Sequence, residues 1–194
     1  MRAYTRYSLV MALMFLDTET TGLDKDENRI IQLYAYVPKY KAAFEVVMNP
    51  GDSVIQDEAL AINGRTREGL MAEPITQREG LIKFIKFIRQ HYNGRVNLCA
   101  HNAPFDNGFV QAWFAREEKE YREYCHYIWQ DTMSVAAFLR QRGVIRPRSL
   151  KLTDLLSFFG MTLENAHDAG ADVHGLVALY QKMWDMTTPL IGSY

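Results

Sequence analysis

An aspartate and a glutamate lie two residues apart where an apolar stretch of the chain gives way to threonines and a glycine. The stretch reads MFLDTETTGLD, and its two acids are Asp17 and Glu19. Residues at i and i+2 of an extended strand point to the same face of a sheet. Two neighbouring carboxylates repel each other unless they are protonated, hydrogen-bonded or bound to a cation. Because Mg²⁺ prefers oxygen ligands, the pair is half of a metal site, and a solvated turn is the alternative.

A second acidic position, Asp106, lies in the segment CAHNAPFDNGF. A predicted strand ends there in His101 and Asn102, and Asp106 falls in the first turn of the following helix. An acid at this position also complements the positive end of the helix dipole, which would be sufficient reason for its presence. For His101, a structural histidine hydrogen-bonded at the end of the strand is preferred over a metal ligand.

A third group, His167 and Asp172, lies in the segment NAHDAGADVHG. On one continuous helix these two residues would be about 140° apart around the axis. Their side chains converge only if His167 precedes the helix and Asp172 lies within it. Asp168 as the N-cap, followed by small residues, suits that arrangement. The alternative is a solvated helix start with an ordinary histidine.

The elements that must position these acids follow from the hydrophobic pattern. Strands are predicted at 9–17, 29–37, 42–48 and 95–100. Helices are predicted at 75–92, 104–116 with Asn102 as cap, 131–142 and 149–159 each closed by a glycine, and about 168–185. A meander of three strands followed by alternating helix and strand predicts an α/β fold in which helices pack on a mixed sheet.

The composition sets limits on the class of protein. The chain has 194 residues, of which 48% are apolar and 23% are charged. These values are typical of one soluble globular domain. The net charge of −1 means that a bound polyanion would have to be held locally, for instance by metal. Two cysteines, Cys99 and Cys125, form no disulfide framework and favour a cytoplasmic location. No run approaches the roughly 18 apolar residues of a membrane span, so no membrane partner is expected.

Taken together, the three motifs resemble those of the DEDD superfamily of metal-dependent 3′–5′ exonucleases, in its histidine subclass. They appear in family order as DTETTGL at 17–23, HNAPFD at 101–106 and HDAGAD at 167–172. The chain is similar in character to the proofreading epsilon subunit of bacterial DNA polymerase III and to ribonuclease T. The resemblance implies a ribonuclease H-like fold with a mixed five-stranded sheet flanked by helices. Met11 and Met14 lie within the first apolar segment, so residues 1–10 are expected to be an N-terminal extension that precedes an exonuclease domain (11–186) and a short C-terminal tail (187–194).

The resemblance also implies a mechanism with two Mg²⁺ or Mn²⁺ ions. Asp17 would bridge the ions, and Glu19 and Asp172 would complete the site of the ion that holds the attacking water. Asp106 would serve the ion beside the leaving group. His167 would act as the general base, since an imidazole with a pKa near neutrality can accept the proton of that water.

The implied substrate is the 3′ end of single-stranded DNA, with nucleoside 5′-monophosphates as products. The residues assigned to substrate binding are Thr18 and Thr20 near the 3′-hydroxyl, and Leu23, Ile62, Asn63 and Phe105 near the terminal base. Asn63 lies in ALAINGRTREGL at 59–70, where the family often has histidine, and a core role is the stronger interpretation for Phe105. Basic residues in RQRGVIRPRSLK at 140–151 would follow the phosphates of the strand, or form a solvated surface.

Other functions stay open. One alternative is an exoribonuclease that trims RNA ends or short oligoribonucleotides, since the contacts that read the 2′-hydroxyl are not identifiable. Another is a non-catalytic or polymerase-associated nucleic-acid-binding member of the fold. The residues after the last predicted helix, TTPLIGSY, form only a short tail, which favours a free-standing enzyme, as a monomer or homodimer, over a polymerase-tethered subunit.

Overall fold

The computed structural model describes residues 13–162 and 169–187. Within these two stretches the chain forms a five-stranded sheet with helices on both faces. The strands are β1 (Leu13–Thr20), β2 (Ile30–Val37), β3 (Ala42–Val47), β4 (Asn97–Ala100) and β5 (Gln130–Asp131). The helices are α1 (Asp57–Asn63), α2 (Arg67–Met71), α3 (Gln77–His91), α4 (Ala103–Arg116), α5 (Thr132–Gln141), α6 (Leu152–Phe158) and α7 (Ala169–Thr187).

The sheet is mixed, and β1 is its central strand. The strand order is β3-β2-β1-β4-β5. The first three strands pair antiparallel as a meander, whereas β4 runs parallel to β1 and β5 runs parallel to β4. The prediction of a mixed five-stranded sheet flanked by helices is confirmed.

The two faces of β1 pack against different helices. Met14 and Leu16 point into a core that includes Trp113 of α4. Phe15 points the other way and belongs to a cluster with Val173 of α7. Because side chains alternate along a strand, the next two positions on the α7 side are those of the two acids.

The strand β1 continues farther than the sequence pattern indicated. It was predicted to end at Asp17, but its pairing with β2 continues through Glu19 opposite Gln32 and Thr20 opposite Ile30. The register shifts between these two pairs, which leaves Ile31 as the extra residue of a bulge. Polar residues extend the strand here because backbone pairing with β2, and not hydrophobic burial, holds them. The predicted start of this strand, 9–12, lies outside the described residues.

Three short elements were not predicted, and three helices begin later than expected. The helix predicted from residue 75 begins at Gln77, with Thr76 as its N-cap. The sequence analysis had no helix at α1 or α2 and no strand at β5. The helix predicted from Asp131 begins at Thr132, because Asp131 ends β5 and its side chain accepts the backbone N–H of Met133 as the N-cap. The helix predicted from residue 149 begins at Leu152. The predicted glycine stops are confirmed, since Gly143 and Gly160 have φ of 71° and 72°, the left-handed conformation that commonly ends a helix.

Asn102 is the N-cap residue of α4 as predicted, but its side chain does not satisfy the N–H groups of the helix. Asn102 has φ 66° and ψ 49°, in the left-handed region, and its side chain makes no capping hydrogen bond. Instead, the Asp131 carboxylate accepts the backbone N–H groups of Asn102 and Ala103, at 3.0 and 3.2 Å. The first N–H groups of this helix are thus satisfied from a neighbouring strand.

Two further features bear on the class of protein. Cys99 and Cys125 are both buried as free thiols. Among the helices that the structure describes, none combines the length and the apolar character that crossing a bilayer requires. The predicted N-terminal extension (1–10) and residues 188–194 of the predicted tail lie outside the described residues.

Candidate active site and metal centre

Three carboxylates meet above the end of β1. Asp17, Glu19 and Asp172 each offer one oxygen atom, and these oxygens all lie within 4.8 Å of one another. All three side chains are half-buried. Carboxylate oxygens at such spacing are the donor set that a hard divalent cation prefers, so the residues present fit a metal ion of the Mg²⁺ or Mn²⁺ type.

Strand alternation and helix packing explain this meeting of carboxylates. Asp17 and Glu19 share the face of β1 that α7 covers. Asp172 lies in the first turn of α7, next to Val173, which packs in the same cluster as Phe15. The small residue Ala169 is fully buried at the start of the helix and lets it approach the sheet. The fold therefore brings Asp172 to the acids of β1 although the two elements are far apart in the sequence.

The fourth predicted metal ligand, Asp106, is not a member of this group of three. Asp106 is 2% exposed in α4, and its Oδ1 accepts two hydrogen bonds from Thr18. The backbone N–H of Thr18 donates at 3.1 Å and its hydroxyl at 2.8 Å. Thr18 lies between the two acids in sequence, so its side chain projects from the opposite face of β1. The carboxylate therefore ties α4 to the strand that carries the acids.

Burial changes the acidity of Asp106. Removal from water raises its pKa to about 7, although the hydrogen bonds from Thr18 act in the opposite direction. The carboxylate of Asp131 adds a smaller repulsive contribution that raises the pKa further. Asp106 is thus poised to exchange a proton near neutral pH, and a nearby cation would favour its charged form.

Of the two histidines in the sequence motifs, the structure describes only His101. His167 and the predicted N-cap Asp168 lie outside the described residues. His101 is a structural histidine, as preferred: its Nδ1 lies 2.8 Å from the Thr132 hydroxyl and its Nε2 lies 2.8 Å from the carbonyl oxygen of Leu150. Burial lowers the pKa of His101, which favours the neutral ring with its proton on Nε2, directed at that carbonyl.

The residues assigned to substrate binding all line one cavity beside the carboxylates. This cavity, the terminal pocket, has a volume of about 220 Å³. Its lining includes Thr18, Thr20, Leu23, Ile62, Asn63, Phe105 and the acid Glu19. Leu23 is 80% exposed and Ile62 is 59% exposed. Such exposed apolar side chains at the wall of a cavity are typical of a ligand site.

The sequence analysis missed several residues of the terminal pocket. Gly22, Gln56, Glu58 and Ala59 also line it. Glu58, Ala59 and Ile62 are spaced at i, i+1 and i+4 in α1, so the helix presents them on one face. This helical spacing was present in the sequence and could have identified them if α1 had been predicted.

Asn63 lines the terminal pocket and is tied to the end of β1 by a hydrogen bond. Its Nδ2 donates to the carbonyl oxygen of Thr20 at 3.4 Å. Its Oδ1 is buried and has no hydrogen-bond partner among the described residues.

A network centred on Asn28 holds the walls of the terminal pocket together. Asn28 is fully buried; its Nδ2 donates to the carbonyl oxygen of Val54, and its Oδ1 accepts the backbone N–H of Asp24, both at 2.9 Å. The Thr21 hydroxyl donates to the same carbonyl at 2.7 Å. A Cβ on Gly22 would clash with Asn28 Oδ1, so only glycine permits this approach. The loop after β1 and the segment before α1 are thereby joined.

A second, wider cavity adjoins the terminal pocket. It has a volume of about 540 Å³ and shares Leu23, Gln56 and Phe105 with the terminal pocket. The ring of Phe105 lies 4.9 Å from that of Phe109 and packs partly against the core. Phe105 thus takes part both in the core and in the cavity wall, which reconciles the two roles considered for it.

Comparisons with known proteins agree on one family, that of the exonucleases. The family model RNase_T, described as Exonuclease, matches residues 14–180. The chain is 32% identical to DNA polymerase III subunit epsilon of Treponema pallidum over 176 residues, which cover 89% of this chain and 76% of that protein. It is 24% identical to ribonuclease T of Baumannia cicadellinicola over 144 residues, which cover 67% of this chain and 66% of that protein.

The fold is also similar to that of a solved nuclease. E. coli Exonuclease I in complex with a dT13 oligonucleotide superposes with a TM-score of 0.76 at 19% sequence identity. The match covers 92% of this chain but only 42% of the Exonuclease I chain. At this identity the likeness establishes the architecture, in agreement with the strand order described above.

Proposed function

The chain belongs to this exonuclease family, and we propose that it is a metal-dependent 3′–5′ exonuclease that hydrolyses phosphodiester bonds at the 3′ end of single-stranded DNA. The observation that carries the proposal is the group of Asp17, Glu19 and Asp172, with oxygens within 4.8 Å of one another. Glu19 also lines the terminal pocket, which is open to solvent at Leu23 and Ile62. The group of carboxylates and the terminal pocket therefore share one side chain, that of Glu19.

The cofactor is proposed to be a pair of Mg²⁺ or Mn²⁺ ions. Asp17, Glu19 and Asp172 supply the carboxylates for one site, and Asp17 is proposed to be shared with a second site served by Asp106. Bound divalent ions would lower the pKa of the attacking water and stabilise the charge on the leaving oxygen. Thr18 holds Oδ1 of Asp106, and Oδ2 of that carboxylate is proposed to serve the second ion.

The general base is proposed to be His167. Its position five residues before Asp172 is that of the histidine in the family motif. An imidazole whose pKa lies near neutrality is suited to accept a proton from the attacking water at working pH.

The terminal nucleotide is proposed to occupy the terminal pocket. Leu23, Ile62 and Phe105 would contact the base through apolar surface. Asn63, which also lines the pocket, would contribute a polar contact beside these apolar side chains. Backbone groups around Thr18 and Thr20 would hold the 3′-hydroxyl. Attack at the first phosphodiester bond then releases a nucleoside 5′-monophosphate, and the shortened strand moves forward by one nucleotide.

The test is digestion of 5′-labelled single-stranded DNA, duplex DNA and RNA with Mg²⁺ or Mn²⁺. A ladder of products shortened from the 3′ end is expected for single-stranded DNA, and chelation should abolish it. Asp17→Asn should remove activity, whereas Asp52→Asn is the matched control because Asp52 is an exposed carboxylate on the turn after β3. An Asp17→Asn protein with undiminished activity would contradict the site, and no products from any substrate would contradict the enzyme.

A second candidate function is 3′–5′ exoribonuclease activity. The similarity to ribonuclease T favours it, and the same assay decides it by the relative rates on RNA and DNA. A polymerase-associated role is suggested by the similarity to the epsilon subunit. Size-exclusion chromatography of the protein alone, and after mixing with a polymerase, separates a monomer or homodimer from an obligate polymerase partner.

A further inference from the structure

Hydrogen bonds join the side chains of Arg65, Gln32 and Glu45 in the part of the sheet next to Glu19. Gln32 of β2 lies directly opposite Glu19 in the strand register and is 3% exposed. Its Nε2 donates to Glu45 Oε1 of β3 at 2.8 Å. Its Oε1 accepts a hydrogen bond from Arg65 Nη2 at 2.7 Å. Both ends of a buried amide are therefore satisfied, and a guanidinium is held at one of them.

The register places this guanidinium close to the metal-binding carboxylates. Side chains directly opposite each other in an antiparallel pair have Cβ atoms about 5 Å apart. Gln32 and Glu19 form such a pair, and Arg65 is hydrogen-bonded to the side chain of Gln32. Arg65 also follows Gly64, the C-cap of α1, and lies two residues after Asn63 of the terminal pocket. The hydrogen bond therefore connects the end of α1 to the strand residue opposite Glu19.

The charge of Arg65 is not used by a carboxylate in the part of the chain that the structure describes. The ion pairs found there join Lys25 to Asp26 and Arg67 to Asp57. Arg65 instead donates to the neutral amide of Gln32, which orients the guanidinium but does not neutralise it. Of its five N–H donors, one is engaged in that hydrogen bond. A fixed guanidinium with further donors is well suited to bind a phosphate.

The whole-chain charge makes such a residue useful. The formal net charge is −1, so the protein has no general positive field to attract a polyanion. Three carboxylates near the reacting phosphate repel it further until cations are bound. A single oriented arginine beside them would offset this repulsion at one phosphate and fix the register of the strand.

We propose that Arg65 binds a backbone phosphate of the nucleic-acid substrate next to the carboxylate group, and that Gln32 positions it there. This inference rests on the proposed function and specifies how that site holds its substrate. Gln32 is then a positioning residue, because it acts through Arg65 and does not itself touch the strand.

The first experiment measures binding, so that it does not depend on hydrolysis. Fluorescein-labelled oligothymidylate is titrated with wild-type protein, Arg65→Ala, Arg65→Lys and Arg95→Ala, with Ca²⁺ as the metal, at several salt concentrations. Arg95 is an exposed arginine just before β4, at the end of the sheet away from the acids, and gives a matched loss of charge. Thermal melting of each variant shows that it is folded.

The proposal gives a distinct expectation for each variant. Arg65→Ala should weaken binding about tenfold, because a charge-assisted hydrogen bond is lost. The slope of log Kd against log salt should become shallower by about 0.7, the value for one phosphate contact on a single strand. Arg65→Lys should keep the slope and lose part of the affinity. Arg95→Ala should match wild type, and equal behaviour of Arg65→Ala and Arg95→Ala would overturn the proposal.

A second experiment identifies the phosphate. Oligonucleotides carrying one neutral methylphosphonate at successive positions are compared in the same assay. Wild type should lose affinity at one position near the 3′ end, and Arg65→Ala should be insensitive there. Identical position profiles for the two proteins would refute the contact, as would a wild-type protein that binds no oligonucleotide. A wild-type protein that binds but does not cut would contradict the proposed exonuclease while leaving the Arg65 contact in place.

Discussion

Ionisation of the buried Asp106 should make the metal-free protein less stable as the pH rises, and Asp106→Asn should remove this effect. Asp106 is 2% exposed, and burial raises its pKa to about 7. In an unfolded chain an aspartate has a pKa of about 4. Between these two values the folded protein binds a proton that the unfolded chain does not bind. The free energy of unfolding therefore falls as the pH rises from about 4 to about 7.

The size of the effect follows from the two pKa values. Each pKa unit corresponds to about 1.4 kcal/mol, so a rise from about 4 to about 7 amounts to roughly 4 kcal/mol. Asparagine keeps the oxygen that accepts the two hydrogen bonds from Thr18 but carries no charge. Asp106→Asn should match wild type near pH 4 and exceed its stability by up to roughly 4 kcal/mol above pH 7. Thr18→Val should steepen the wild-type loss, because the hydroxyl of Thr18 stabilises the charged form.

The assay is urea denaturation in the presence of a chelator at a series of pH values from about 5 to about 8. Asp52→Asn provides the control for the loss of an exposed carboxylate. Parallel stability profiles for wild type and Asp106→Asn would refute the reasoning, because burial of Asp106 would then have no energetic cost. Addition of Mg²⁺ should reduce the difference between the two proteins if Asp106 serves a metal ion as proposed.

Three further predictions concern the metal group, the terminal pocket and its walls. Mg²⁺ at about 100 times its dissociation constant should stabilise wild type by about 2.7 kcal/mol, seen as a rise in Tm, and Asp17→Asn should lose this rise. Leu23→Ala should raise KM for single-stranded DNA by up to about tenfold, because Leu23 lines the wall of the terminal pocket. The Tm should change little, since Leu23 is 80% exposed. An unchanged KM would argue against the pocket as the site of the terminal nucleotide. Asn28→Ala should leave the backbone N–H of Asp24 without its partner, whereas the carbonyl oxygen of Val54 keeps its hydrogen bond from Thr21. The expected cost, measured by urea denaturation, is about 1–2 kcal/mol, the loss of two hydrogen bonds of which one leaves a backbone donor unpaired.

The local features of the site could be predicted from the sequence because they depend on periodicity. Asp17 and Glu19 share a face because a strand alternates with a period of two, and this holds wherever the strand packs. The long helices α3, α4 and α7 were predicted within a few residues for the same reason, as their apolar spacing is repeated over several turns. The residues assigned to the terminal pocket came from the family resemblance, and the structure brings them to one cavity.

Short elements and long-range contacts were beyond this kind of prediction. The strand β5 is two residues long, and α1 and α2 are seven and five residues long, too short for a periodic pattern to be distinguished. The N-cap of α4 was assigned to Asn102, but the acceptor is the carboxylate of Asp131, 29 residues away. Side chains far apart in sequence can accept hydrogen bonds from the same N–H groups. Local sequence preference does not determine which of them is the acceptor in the folded protein.

The sequence by itself determined the kinds of residue available for chemistry, the order of the motifs and the face of β1 that carries its two acids. Only the tertiary structure decided that Asp172 joins these acids while Asp106 is held by Thr18 on the other side of the strand. It alone also joined Arg65 to the amide of Gln32, which lies opposite Glu19 in the strand register. The physical reason is that periodicity fixes direction within one element, whereas distances between elements are set by the packing of the whole core.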